Sequence, residues 1–296
     1  MPLKPLTALV LAWLAGLPMA ALPSSALLSS ALLSSAQAAE QMPVDLELLL
    51  AIDISGSIDA DEARLQREGY ARALIDKDVI KAIKGGIHGK VAIAYFDWSD
   101  SYVQNEILDW TLIHDEASAR AVSQRLIDQQ TRTARRTSIS GAINHAIPRF
   151  GTGPFKGVRK VLDISGDGPN NDGGPIDLAR DKALAAGIVI NGLPIMNGKV
   201  NTWGFPVLED LDRYFEGCVI GGPGSFVVVA EGFDTFHEAV RRKLILEIAT
   251  APAVPPAWQR LGPPVFHKAQ SGYRYSKGCD IGGRQSQEFW RRRIDQ

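Results

Sequence analysis

The sequence predicts an α/β fold: a doubly wound, mostly parallel sheet with helices on both faces, followed by a C-terminal tail. Three observations carry this. The run Leu46 to Ile54 is almost continuously apolar, as in a parallel strand covered on both faces rather than one with a solvent side. The segment Ile139 to Phe150 places Ile139, Ala142, Ile143, Ala146, Ile147 and Phe150 on one helical stripe that must pack against a sheet. Further along, short apolar runs alternate with helical patterns, the signature of βαβ units.

Taken in order, Leu46 to Ile54 forms the first strand. Asp59 followed by Glu62 has the spacing of a capping box, and proline-free Ala60 to Ile75 forms the helix behind it. Val91 to Phe96 and Tyr102 to Trp110 read as two strands of a hairpin joined at Ser99-Asp100-Ser101. After the Ile139 helix come a strand at Val161 to Ser165, a helix at Ile176 to Ala186 and a strand at Ile188 to Ile195. Val207 to Phe215, Phe226 to Ala230 and Phe233 to Ala249 complete the alternation, and the last carries Phe236, Val240, Leu244 and Ile248 four apart. From Ala251 to Gln296 the composition turns proline-rich and basic, which predicts a loosely structured tail with Phe289 and Trp290 packing back on the domain.

The first 38 residues read as an export signal. Lys4 gives the positive start, Leu6 to Leu22 the apolar stretch, and Ala36-Gln37-Ala38 the cleavage site. Gly16 and Pro18 interrupt the run, which is shorter than a membrane span, so no transmembrane segment is expected after cleavage. The expected organisation is a signal over 1–38, one domain over 39–250 and the tail over 251–296, with a periplasmic or secreted product. Lys and Arg number 32 against 33 Asp and Glu, a balance that disfavours nucleic acid or an anionic membrane as the partner. The two cysteines, Cys218 and Cys279, are too few and too far apart for a zinc site. In an oxidising compartment they can pair; two separate buried thiols are an equally open reading.

The oxygen-bearing residues fall where open α/β sheets bind ligands, beyond the carboxyl ends of the strands. The first strand runs into Asp53-Ile54-Ser55-Gly56-Ser57, Thr137 immediately precedes the Ile139 helix, and the strand ending at Ser165 leads into Gly166-Asp167-Gly168. Singly, each is as readily a turn or cap residue. Together, Asp53, Ser55, Ser57, Thr137 and Asp167 offer five hard oxygen donors without histidine or thiol. That donor set suits Mg2+, with Mn2+ or Ca2+ as substitutes, rather than zinc or copper. Only two donors are charged, so a cation held there keeps positive character and an open position that a carboxylate from a protein partner can fill.

This composite resembles the metal-ion-dependent adhesion site (MIDAS) of von Willebrand factor A (VWA) domains, with the five residues standing at the positions of its ligands. The resemblance spans roughly Val44 to Ala249. Within that superfamily, LLLAIDISGSID, LQREGYARAL, TSISGAI, DISGDGPNNDGG, INGLPI and VIGGPGSF resemble a family of exported bacterial proteins of unassigned function. The resemblance implies a Rossmann-like domain that binds proteins, often through Mg2+, and usually catalyses nothing itself. Gly166 departs from the pattern, since Thr commonly precedes the second Asp, and the polar loop Pro169 to Gly173 could add ligands or a second cation.

Enzyme readings lack their parts. No G-x-S-x-G elbow occurs, Gly192 to Lys199 is not a P-loop, and Ser55 stands where an aspartyl phosphotransferase needs its second acid. A metal-dependent hydrolase using the same cation to activate water is the alternative reading, and it needs a base. His145, on the polar side of its helix, and strand residue Asp163 are more simply explained as a solvated side chain and a buried hydrogen-bonding group. Trp98 and Tyr102 are candidates for an aromatic recognition edge, with core or rim packing the commoner role.

Overall fold

The computed structural model describes residues 40–198, 207–249, 266–268 and 273–295. The expected signal over 1–38 and the start of the expected tail lie outside them. The described elements belong to one compact unit, Ala39–Gln296. Seven strands form a single sheet, β1 (Met42–Asp53), β2 (Val91–Trp98), β3 (Gln104–Ile113), β4 (Phe155–Gly166), β5 (Val189–Pro194), β6 (Phe226–Val228) and β7 (Phe266–Lys268), in the order β3-β2-β1-β4-β5-β6-β7. The strands from β2 through β6 are parallel; β3 and β7 run antiparallel at the two edges. The predicted α/β class and the β2–β3 hairpin are both present.

β1 shows why its sequence is apolar throughout. Leu46, Leu48, Leu50 and Ile52 point to one face, into a core completed by Tyr70 and Leu74 of α1 (Ala60–Leu74), Val79 and Ile83 of α2 (Lys77–Lys84), Val122 and Leu126 of α3 (Glu116–Ile127), and Phe236, Val240 and Leu244 of α7 (Phe236–Ile248). Leu49 and Ala51 point to the other face, against Ile139, Ile143 and Ala146 of α4 (Ile139–Ala146), Ile176, Ala179 and Ala183 of α5 (Ile176–Ala185), and Leu211 and Tyr214 of α6 (Leu211–Tyr214). Successive side chains of a strand alternate sides, so a central strand between two helical layers must be apolar at every position.

Three features differ from expectation. Helices α2 and α3 occupy stretches that the apolar pattern left unassigned; Asp76 and Asp115 cap them, each carboxylate accepting a backbone N–H of the first turn. Beyond α6 the chain continues as a π-helical turn, Phe215–Val219. The tail is not loosely structured where it is described: β7 extends the sheet, and Ile281–Ile294 forms α8. Two anchors explain this. Cys279 is disulfide-bonded to Cys218 of the π-helical turn, and buried Tyr275 packs edge-on against Tyr214 while its hydroxyl donates to Asp210 at 2.9 Å. Beyond its first turn α8 is largely exposed, with Trp290 45% exposed and stacked edge-on with Phe289.

Candidate metal centre

The register of β1 on β4 pairs Ile52 with Ser165, so Asp53, next in β1, and Asp167, one residue past Gly166, leave the sheet at the same edge. Past Asp53 the chain turns at once: Asp53 Oδ1 accepts the Ser55 N–H at 2.7 Å, and the backbone carbonyl of Asp53 accepts from the buried Gln66 amide of α1 at 3.1 Å. Gly56 allows the turn to lie under the 134–135 backbone, where a Cβ would stand 3.0 Å from the Arg135 carbonyl oxygen. Ser55 Oγ then lies 3.2 Å from Ser57 Oγ, and Ser57 Oγ donates to Asp167 Oδ1 at 2.5 Å. The second Asp167 oxygen accepts from Asn197 at 3.2 Å.

Thr137 reaches the same edge by another route. Its N–H donates to Asn171 Oδ1 at 3.0 Å, and its carbonyl accepts the N–H groups of Asn171 and Asp172. Its hydroxyl faces the Asp167 loop, 3.8 Å from where a Cβ on Gly168 would stand. Ser138, next in sequence, caps α4 through the Gly141 N–H. The fold therefore gathers Asp53, Ser55, Ser57 and Asp167 into one hydrogen-bonded group and sets the Thr137 hydroxyl beside it.

The electrostatics of this group are unfavourable as it stands. Asp53 is fully buried, and its Oδ2 has no hydrogen-bond partner. Burial, and then the neighbouring Asp167 carboxylate, push its pKa well above the ordinary carboxylate range. Asp167 is raised to about 6, chiefly by burial, with bonds from Ser57 and Asn197 opposing and the charge of Glu62 reinforcing. A buried, unpartnered carboxylate oxygen facing a second carboxylate costs stability unless a positive charge or a proton joins it. Among the described residues no three His, Cys, Asp or Glu side chains converge as a metal cluster. The group has two carboxylates and depends on hydroxyls for its remaining donors.

Gly166 has a local reason to lack a side chain, because a Cβ there would stand 2.9 Å from Asp53 Oδ2 and 3.5 Å from the buried ring of Trp98. The side chains of the 169–173 loop are engaged with the protein itself. Asn170 Oδ1 accepts the Ser140 N–H at 2.9 Å, Asn171 Oδ1 is held by Thr137, and Asp172 takes the Ser101 N–H and the Arg136 guanidinium. These asparagines, together with Gln66 and Asn197, escaped sequence reasoning because an amide in a polar loop carries no periodic or charge signal.

Trp98 is buried and Tyr102 is 93% exposed, so they do not form one aromatic edge. His145 is not simply solvated: its Nε2 lies 2.6 Å from Glu106 and its ring packs on Phe96. Asp163 is buried and ion-paired with Lys243 of α7 at 2.6 Å.

The sheet and the helices on its two faces give the protein a VWA-like fold. Among solved structures, it is similar to proximal thread matrix protein 1 from the mussel byssus, with 18% identity and a TM-score of 0.50 over 71% of this chain and 49% of that one. This chain thus spans about half the length of the mussel protein, one structure of which has a zinc-occupied MIDAS motif. It is also similar to BatB from Bacteroides thetaiotaomicron (18% identity, TM-score 0.45, 70% of this chain and 100% of that one) and to a von Willebrand factor type A protein from Catenulispora acidiphila (13%, 0.46, 70% and 43%). No curated protein matches it. The chain belongs to the family described as protein of unknown function (DUF1194), whose model matches residues 43–252.

Proposed function

We propose that this chain is an exported VWA-like binding module that holds a divalent cation at Asp53, Ser55, Ser57, Thr137 and Asp167 and captures a protein partner through a partner carboxylate. The observation that carries the reading is the orphaned Oδ2 of buried Asp53, set against a second carboxylate and a pair of serine hydroxyls. This donor set fits a hard cation: it is all oxygen, and the two carboxylates need a positive charge between them. When bound, the cation supplies a Lewis-acidic position for an incoming acid, with Mg2+ the first choice and Mn2+ or Ca2+ the substitutes.

The chain's own residues do the rest. Asp53 and Asp167 supply the negative charge, the three hydroxyls supply neutral donors, and the Ser55 N–H and the Gln66 amide fix the Asp53 turn before any ligand arrives. Because the two carboxylates are backed by β1 and β4, the centre is held on rigid strands rather than on a free loop. Export is supported by the sequence of residues 1–38 and by the Cys218–Cys279 disulfide, which suits an oxidising compartment. No described helix is long and apolar enough to cross a membrane.

The test is affinity capture from the native envelope fraction with and without chelator, alongside calorimetric titration of the purified protein with Mg2+. Asp53→Ala is expected to abolish both the heat of cation binding and chelator-sensitive capture while the variant stays folded. Capture of the same partner by Asp53→Ala in chelator overturns the reading.

A further inference from the structure

The C-terminal helix α8 touches the loop that positions Thr137. Gly282, in its first turn, lies flat on the 169–170 backbone: a Cβ there would come within 2.8 Å of the Asn170 carbonyl carbon and 3.1 Å of Pro169. The Asn170 N–H donates to the Tyr214 hydroxyl at 3.1 Å, and that hydroxyl lies 3.5 Å from the Cys279 carbonyl oxygen. Asn170 Oδ1 holds the Ser140 N–H in the first turn of α4, its Nδ2 donates to the Gly174 carbonyl at 3.2 Å, and neighbouring Asn171 holds the Thr137 N–H. A continuous series of short polar and packing contacts thus runs from the disulfide through Tyr214, Asn170 and Asn171 to Thr137.

We propose that the Cys218–Cys279 crosslink is a redox-sensitive strut that fixes the Thr137 loop through Asn170 and Asn171, so that its oxidation state sets the cation affinity of the site. The affinity half of this inference rests on the metal reading above; the strut does not. Cys218 is fully buried, whereas Cys279 is half-buried and lines an open groove of about 1080 Å3 between the 170–177 loop and α8. A dithiol reductant has its route through this groove to Cys279 Sγ. Its first thiolate attacks that sulfur, the S–S bond breaks, and Cys218 leaves as a thiolate that takes up a proton. The reductant's second thiol resolves the mixed disulfide. Two electrons and two protons pass to the protein, giving two thiols, and the reductant ends as its own disulfide. Without the crosslink α8 is held by noncovalent contacts alone, and the packing of Gly282 on Asn170 that backs the 170–171 loop loosens.

The experiment uses the full exported chain, oxidised and after dithiothreitol, and reads amide hydrogen exchange together with Mn2+ affinity. Reduction is expected to speed exchange at Thr137 and Ser140 by about tenfold beyond any rise shared with the β1 amides, and to weaken Mn2+ binding by about tenfold, roughly the loss of one buried hydrogen bond. In the oxidised protein, Asn171→Ala is expected to reproduce the Thr137 change. Asn171→Asp, which keeps the acceptor oxygen, is expected to retain both protection and affinity. Unchanged Thr137 and Ser140 exchange after reduction, with only 273–294 loosened, overturns the strut. So does an equal rise at the β1 amides, which would make the disulfide a staple of the whole fold and nothing more. If the oxidised chain binds no Mn2+, the metal reading fails, and the exchange results still decide the strut.

Discussion

Adding a divalent cation should stabilise this protein strongly at neutral pH and hardly at all near pH 4. In the cation-free protein the Asp167 pKa is raised to about 6 from an ordinary 3.8. Such a carboxyl binds its proton more tightly folded than unfolded. Its favourable contribution is therefore present below the unfolded value and is lost as the pH climbs through about 6. The rise from 3.8 to about 6 corresponds to about 3 kcal/mol, which we reduce to about 2 kcal/mol because Asp167 keeps part of its surface in water. Asp53 titrates in the same direction and adds to the loss. A cation that binds only the ionised pair adds RT ln(1 + [Mg2+]/Kd) where the pair is ionised, so an excess of about thirtyfold over Kd offsets this loss. About 2 kcal/mol is worth about 4–8 °C in Tm for a domain of this size. The assay is thermal unfolding in chelator and in excess Mg2+ across pH 4 to 8. The difference between the two curves cancels other buried acids such as Asp97 and Asp163. Asp53→Asn in chelator is expected to be at least as stable as the wild type at neutral pH, and to be insensitive to Mg2+. Equal Mg2+ stabilisation at both ends of the range, or an Asp53→Asn variant that melts well below the wild type in chelator, would refute the reasoning.

Three further outcomes are expected. Lys243→Met strands the buried carboxylates of Asp163 and Glu247 and should cost about 3–5 kcal/mol at neutral pH. Burial and the Glu247 charge raise Asp163 to about 7 even with Lys243 opposing them, so the variant's carboxyl is raised further, part of the loss should return as the pH falls, and denaturant melts at pH 5 and 8 check this. Gly166→Ala pushes a methyl group against Asp53 Oδ2 and should cost about 1–3 kcal/mol of fold stability or the equivalent in Mg2+ affinity, read by melts and calorimetry. Opening the disulfide, which closes a 61-residue separation, should cost about 4 kcal/mol by chain entropy, read as a drop in denaturant midpoint under reducing conditions.

The sheet was legible in the sequence because its inner strands are covered on both faces and advertise themselves as unbroken apolar runs. Ile139 to Ala146 was legible because its stripe is long and clean. α2 was passed over because only Val79 and Ile83 are buried in an eight-residue helix, too short to establish a period. α3 did carry a readable signal in its Asp115 cap and the Ala119, Val122 and Leu126 spacing, obscured by Ser, Gln and Arg on the other positions. α8 was hidden because its order depends on tertiary anchors, Cys279 and Tyr275, and not on an apolar stripe of its own. At the rim, the chemistry-bearing residues were visible through strand ends and motif spacing. The amides that orient them were not, since only the fold reveals that Asn171 points at Thr137 or that Asn197 points at Asp167.

The strand that comes first along the chain sits in the middle of the sheet, flanked by β2 and β4. Met42 must find Phe155, so the central hydrogen-bond ladder cannot close until more than half of the sequence has been made. Such long-range pairing slows folding. A nascent chain of this topology therefore stays open until late in its synthesis, and its centre is the last part to commit.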